Sequence, residues 1–260
     1  NLQSFSIDSV FAGIHMLNVS DQNNCIIVDS IELFQPDELI PSISSAFDYS
    51  GYDISCHGYN DGGIDLTVGG GVTPYDFAWS NGNTWEDLYD LTAGTYDVLI
   101  TDLNSCTTSQ QITLIEPAPL NYSFTTSDYN GYNISCYNYS DGWVNLTING
   151  SVPPYTFDWS NGSQLEDLMG VPSANYSVSI YDMNACSTLV SVDLSQPNPL
   201  VSSLGSLTDF NGYDISCYGF NDGAISATVL GSVPPYSLVW NTGEESDTLL
   251  ALLADTYVLN

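Results

Sequence analysis

Large rings alternate with small or polar residues along Pro74-Tyr75-Asp76-Phe77-Ala78-Trp79-Ser80-Asn81-Gly82. A period of two sets Tyr75, Phe77 and Trp79 on one face of an extended segment, which predicts a half-buried strand closed by an Asn-Gly turn. The pattern returns at residues 154–162 with Tyr155, Phe157 and Trp159, and at residues 235–243 with Tyr236 and Trp240. Such rings either fill a core or face a ligand. Their recurrence in step with the cysteines favours a shared core.

Neighbouring segments read the same way. Gly51-Tyr52-Asp53-Ile54-Ser55-Cys56 is expected as the first strand of the unit. A turn at Asn60-Asp61-Gly62 leads into Ile64-Asp65-Leu66-Thr67-Val68, which alternates and ends in Gly69-Gly70-Gly71. An acidic connection, Trp85-Glu86-Asp87-Leu88-Tyr89-Asp90, precedes a segment with Tyr96, Val98 and Ile100 on one face. Tyr96 predicts a tyrosine corner, its hydroxyl turned back onto the preceding backbone. In the first unit His15 stands there instead. Gln111-Ile112-Thr113-Leu114 is the last strand, and no helical period is sustained anywhere.

The period is about 80 residues. Residues 1–39 match the last part of a unit, because Asp21-Gln22-Asn23-Asn24-Cys25 aligns with Asp102-Leu103-Asn104-Ser105-Cys106. Residues 40–120 and 121–200 are complete units, and residues 201–260 begin another. Glu116-Pro117-Ala118-Pro119-Leu120 and its equivalents at 35–39 and 196–200 are joints. Proline restricts the backbone there, which predicts short, semi-rigid connections. The expected fold is all-β: tandem immunoglobulin-like antiparallel β-sandwich repeats of about 80 residues, with six or seven strands each.

Charge narrows the function. The chain has no Lys or Arg against 31 Asp and Glu, a formal net charge of −31. Nucleic-acid affinity depends on cationic neutralisation of phosphate, so nucleic acid is excluded as a partner, and anionic lipid surfaces fail for the same reason. No apolar run approaches the ~20 residues that span a bilayer, so no membrane insertion is expected. Stability must come from apolar burial, strand ladders and disulfides, against self-repulsion.

Cysteines follow the repeat. Cys56 with Cys106 and Cys136 with Cys186 are the expected pairs, Cys25 and Cys217 being left over. Closing a loop of about 50 residues is worth roughly 4 kcal/mol in the chain-entropy model. Disulfides imply an oxidising, extracellular location. Such pairing would draw Asp61 towards Asp102 and Asn104, and Asp141 towards Asp182 and Asn184. Oxygen ligands from converging loops suit Ca²⁺, against the plain alternative that Asn-Asp-Gly and Asp-x-Asn are turn formers. No cofactor is otherwise required.

Two isolated histidines offer no nucleophile–base arrangement, and His57 becomes Tyr137 and Tyr218 in the sister units, so no enzyme is expected. Trp85 and Trp143 lie outside the aromatic strand, where a Trp either stacks on a sugar or covers the edge of a small core.

Taken together, Cys, Asn-Asp-Gly, an alternating strand, Pro-Tyr-x-Phe-x-Trp-Ser-x-Gly, Leu-x-Ala-Gly-x-Tyr-x-Val, Asp-x-Asn-x-Cys and a closing Pro resemble the SprB repeat family. That resemblance implies a segment of a very large cell-surface adhesin of gliding bacteria, exported by type IX secretion, with no catalytic residues. It also implies O-glycosylation at Asp-Ser/Thr-apolar triplets, which here centre on Ser9, Ser30 and Thr248. The function expected is a structural stalk of an extracellular, cell-surface adhesin or filament, with neighbouring repeats and surface polysaccharide as partners. Two alternatives stay open: a glycan-binding module, and a head-to-tail fibre in which strands of one copy complete another.

Overall fold

The computed structural model describes residues 6–260; residues 1–5, the start of the first partial repeat, lie outside the described residues. The described residues form strands and no helix, so no helix is long and apolar enough to cross a membrane. The chain divides into two compact units, Asn1–Pro117 and Ala118–Asn260.

In the first unit, β1 (Gly13–Ser20) and β2 (Ile26–Leu33) make a hairpin. A complete repeat follows: β3 (Ile40–Ser45), β4 (Gly62–Gly69), β5 (Asp76–Trp79), β6 (Leu88–Leu91), β7 (Gly94–Thr101) and β8 (Thr107–Leu114). One antiparallel sheet has the order β3-β4-β6 and the other β5-β7-β8. This is an immunoglobulin-like sandwich of three strands on three.

The second unit begins with the same repeat: β9 (Asn121–Thr126), β10 (Gly142–Asn149), β11 (Thr156–Trp159), β12 (Leu168–Val171), β13 (Ala174–Tyr181) and β14 (Ser187–Leu194). Its sheets run β12-β10-β9 and β11-β13-β14. Next come β15 (Val201–Ser206), β16 (Gly223–Leu230) and β17 (Thr248–Leu252), in one sheet.

The core lies between the two sheets of each repeat. In the first complete repeat Ile64 and Leu66 of β4 and Leu88 and Leu91 of β6 meet Trp79, Tyr96, Val98, Ile100 and Leu114 from the facing sheet. The second repeat buries the equivalent set around Trp159 and Val178. Trp240 is sealed by Leu249 and Leu252 in the third. The aromatic strand is therefore a core strand: Trp79, Trp159 and Trp240 are buried, with Tyr75, Phe77, Tyr155, Phe157 and Tyr236 half-buried beside them. Each indole N–H donates to a main-chain carbonyl six residues on, at Trp85, Leu165 and Ser246, at 2.7–2.9 Å.

Two expectations about strands fail. Gly51 to Cys56 is not a strand; its most deeply buried residue, Ile54, plugs the end of the sandwich. A Cβ on Gly62 would lie 2.4 Å from Ile54 Cδ1, which is why the Asn-Asp-Gly turn ends in glycine. The strand that pairs with β4 is β3, and the acidic connection holds β6. β3 turns Pro41, Ile43 and Ser45 inward and so lacks an apolar stripe, while β6 buries Leu88 and Leu91, three apart, beside an irregular register in β4.

The tyrosine corner forms in every repeat. Tyr96 donates to Thr92 O at 2.9 Å, Tyr176 to Pro172 O at 2.9 Å and Tyr257 to Leu253 O at 3.0 Å. His15 does the same work with its ring nitrogen, 2.7 Å from Phe11 O and also four residues back.

Candidate functional site: the poles and joints of the repeat

Each sandwich has an exit pole, where β8 or β14 ends, and an entry pole, where the preceding joint arrives. At the exit pole of the first complete repeat, Ile115 O accepts the amides of Asp53 and Ile54 at 3.0 and 3.2 Å, and Ile115 N donates to Asp53 Oδ2 at 2.8 Å. Glu116 then takes the Gly58 amide at 2.6 Å and lies 2.9 Å from His57 Nδ1. In the second repeat Ser195 O accepts from Asn133 and Ile134 at 3.0 and 3.1 Å, and Gln196 Oε1 from Asn138 at 2.9 Å. The Asn-Asp-Gly aspartates Asp61, Asp141 and Asp222 are spent locally, each accepting from the amide and hydroxyl of Ser55, Ser135 or Ser216. The serine hydroxyl holds the carboxyls of Asp141 and Asp222 below their ordinary value, with the serine amide assisting.

At the entry pole the joint lies main chain on main chain. Asp37 O accepts the Gly71 amide, Ala118 O that of Ser151 and Asn198 O that of Ser232, all at 2.9 Å. The next joint residue covers a glycine. A Cβ would stand 1.8 Å from Glu38 O at Gly70, 2.0 Å from Pro119 O at Gly150 and 1.8 Å from Pro199 O at Gly231. All three have positive φ, +73°, +83° and +84°, so the position excludes a side chain twice over. Asp102 closes this pole by accepting the amides of Val72, Asn104 and Cys106 at 2.8–2.9 Å. Those N–H donors, Cys106 foremost, hold its carboxyl below the usual range against the opposing effect of burial. Asp182 repeats the arrangement with Val152, Asn184 and Cys186.

Within the second unit both ends of one joint are visible. Ser195 and Gln196 are bonded to the repeat before, and Asn198 and Pro199 are seated on the repeat after. Pro197 alone lies between.

The within-repeat cysteine pairs do not form. Cys106 and Cys136 are free thiols, as are Cys25 and Cys217, whereas Cys56 and Cys186 are each disulfide-bonded. The reason is geometric. Cys56 follows the plug at the exit pole and Cys106 immediately precedes β8 at the entry pole, and the eight residues of that strand span about 25 Å. A disulfide needs Cα atoms within roughly 7 Å.

For the same reason Asp61 is not brought to Asp102 and Asn104, nor Asp141 to Asp182 and Asn184: the two acids occupy opposite poles and accept main-chain or hydroxyl donors there. Among the described residues no group of three or more His, Cys, Asp or Glu side chains could hold a metal ion.

Trp85 is exposed and borders a shallow depression with Tyr89. Trp143 is half-buried on β10. Their positions are not equivalent, Leu165 standing for Trp85 in the second repeat and Gly63 for Trp143 in the first, so the two do not make a repeated aromatic site. Ser9 and Ser30 are exposed, while Thr248 is half-buried on β17 and donates to Asp247 at 3.1 Å.

The joint glycines were missed in sequence, although Gly-x-x-x-Pro-Tyr recurs at Gly70, Gly150 and Gly231 and carries the signal.

The class is now defined: a tandem array of immunoglobulin-like repeats whose shared features are a plugged exit pole and a glycine seat for the joint. The sequence profile of the SprB repeat matches residues 52–84, 132–164 and 213–245, from the exit-pole plug through the aromatic strand, and these three segments are SprB repeats. No curated protein matches the chain by sequence.

Solved structures similar in strand arrangement include two adhesins and a set of fibronectin(III)-like modules. The Ca²⁺-stabilised adhesin with which an Antarctic bacterium binds ice has 11% identity and a TM-score of 0.37 over 95% of this chain and 72% of that one. The C-terminal fragment of intimin with the intimin-binding domain of its translocated receptor has 11% identity and a TM-score of 0.34 over 64% and 67%. Fibronectin(III)-like modules of CbhA from Clostridium thermocellum have 12% identity and a TM-score of 0.28 over 60% and 94%. Likenesses of this size carry no functional weight.

Proposed function

We propose that this chain is a stalk segment of an extracellular, cell-surface adhesin, a spacer that holds a binding end away from the cell. The observation that carries it is the joint at residues 195–199, anchored to the repeat on either side with one proline between. A joint fixed at both ends transmits direction along an array, which a floppy linker does not. Three SprB repeats in series support a role in reach, since repeats add length without new chemistry. Bonded cysteines support an oxidising compartment. A surface without a single Lys or Arg resists association and offers trypsin no cleavage site.

Immunogold electron microscopy tests this reading. Antibody raised against residues 40–200 should label the outside of intact source cells, with gold standing off the outer membrane on filaments. Label confined to the cytoplasm or periplasm would overturn it.

A further inference from the structure

We propose that the acidic connection leading into β6 of the first complete repeat is a docking site for a basic, arginine-bearing peptide segment. Trp85, Glu86, Asp87 and Tyr89 line one shallow depression there. The main chain beneath them is anchored to the core. Trp85 O accepts the indole N–H of Trp79 at 2.8 Å, Asp87 Oδ1 accepts the Leu66 amide at 3.0 Å, and Leu88 is buried. The two rings are outside it, Trp85 being 75% exposed and Tyr89 59%. Tyr89 is still held on one side, because the Phe47 ring packs against it with centroids 6.3 Å apart and planes tilted by 53°. An anchored backbone therefore presents two aromatic surfaces beside two carboxylates.

Folding does not require those rings. Leu165 and Ser246 supply the same main-chain acceptor to Trp159 and Trp240, and Met169 and Leu250 follow the buried Leu168 and Leu249 as Tyr89 follows Leu88. Glu166 and Asp247 keep an acid at the position of Glu86. What sets the first complete repeat apart is the pair of rings.

Charge decides what such a surface takes. The face of an aromatic ring is electron-rich, and beside carboxylates it attracts a cation. A planar guanidinium both stacks on a ring and forks onto a carboxylate, whereas an ammonium is a point charge. A second copy of this chain cannot supply the cation, since the sequence has no Lys or Arg. A small free cation would need an enclosing pocket, and this depression is open. One stacked cation at an exposed site gains a factor of only about two to five in affinity, so tight docking takes several cations on one segment, drawn in by the net charge of −31. The site lies within the first unit, and the inference holds whether or not the array is a stalk.

The test is titration calorimetry on the full chain with a capped octapeptide of alternating Arg and Gly, in about 0.15 M NaCl to screen diffuse attraction. The double variant Trp85→Leu with Tyr89→Met installs the side chains that the second repeat already carries, keeps the acceptor for Trp79 and leaves the net charge unchanged. It should bind the peptide about five- to twentyfold more weakly. Glu86→Gln should weaken binding more than Glu166→Gln, which removes the same charge from the second repeat. No measurable binding to the unaltered chain, equal affinity for the double variant, or equal effects of the two Glu→Gln changes would each overturn the proposal. So would binding of maltohexaose that the double variant abolishes, because the rings would then serve a neutral sugar.

Discussion

At Gly150 a single missing atom decides whether the joint can seat. Two penalties await a side chain there, a left-handed backbone and a collision with Pro119 O, and Gly162 separates them. Gly162 has φ +85°, nearly the same as +83° at Gly150, yet a Cβ on it meets nothing within 4 Å. Gly162→Ala should therefore cost about 1 kcal/mol, the backbone penalty alone. Gly150→Ala should cost at least about 2 kcal/mol more, because a carbonyl must move. Thermal melts of the two variants side by side measure the difference, and equal melting temperatures would mean that the seat is not strained by a methyl group. Residue-scale chemistry was partly legible in sequence. The core rings and the tyrosine corner were, because they repeat with a period of two and carry a recognisable partner spacing. The seat was not, since a glycine before a proline reads as any turn until the backbone above it is known.

Among the elements, the hairpin between β7 and β8 is tied by Asp102, and acid should loosen it. Asp102, Asp141 and Asp222 all have carboxyls held below their ordinary value of 3.8 in the fold. A depressed folded value means that the unfolded chain takes up protons first. The stabilisation is complete above the ordinary value and disappears as pH falls through the lowered one. The melting temperature should accordingly drop below about pH 4, measured at fixed high salt so that relief of self-repulsion does not mask it. Asp102→Asn should start from a lower melting temperature and show a shallower drop.

Strand assignment illustrates what pattern can and cannot carry. β4 and β7 alternate cleanly because both flank the core. β3 turns a half-buried proline and serine inward around Ile43, and β6 is four residues long with an irregular partner, so neither prints a stripe. One substitution shows the elements compensating for each other. Phe47 covers Gly63 in the first complete repeat, where an added Cβ would lie 2.8 Å from its ring. The second repeat is one residue shorter before Asp128 and carries Trp143 at the glycine position, so its aromatic surface comes from β10 instead.

For the whole molecule, charge sets the conditions under which the fold is stable. With −31 and no cation to pair, every fold-stabilising contact works against mutual repulsion of carboxylates. Raising NaCl from about 0.01 to 0.3 M shortens the screening length from roughly 30 Å to below 10 Å and should raise the melting temperature by several degrees. Calorimetry across that series reads it directly, and a melting temperature that stayed flat would show that the carboxylates are spread too far apart to matter. The cysteine pattern was the largest misreading at this scale. Equal spacing within each unit suggested closure of the unit, whereas the two cysteines of a repeat sit at opposite poles and Cys106 and Cys136 are free. Spacing along a repeat does not show the pole on which each thiol sits.

The seat of the joint has a consequence for how such proteins change over generations. It recognises a carbonyl with a glycine and an amide, groups that every residue supplies, and asks nothing of the side chains on either partner beyond the one absent Cβ. Any repeat can then follow any other. Unequal crossing-over between copies of the coding sequence would yield longer or shorter proteins whose new junctions fit without further mutation, and the population could carry a range of lengths for selection to sort.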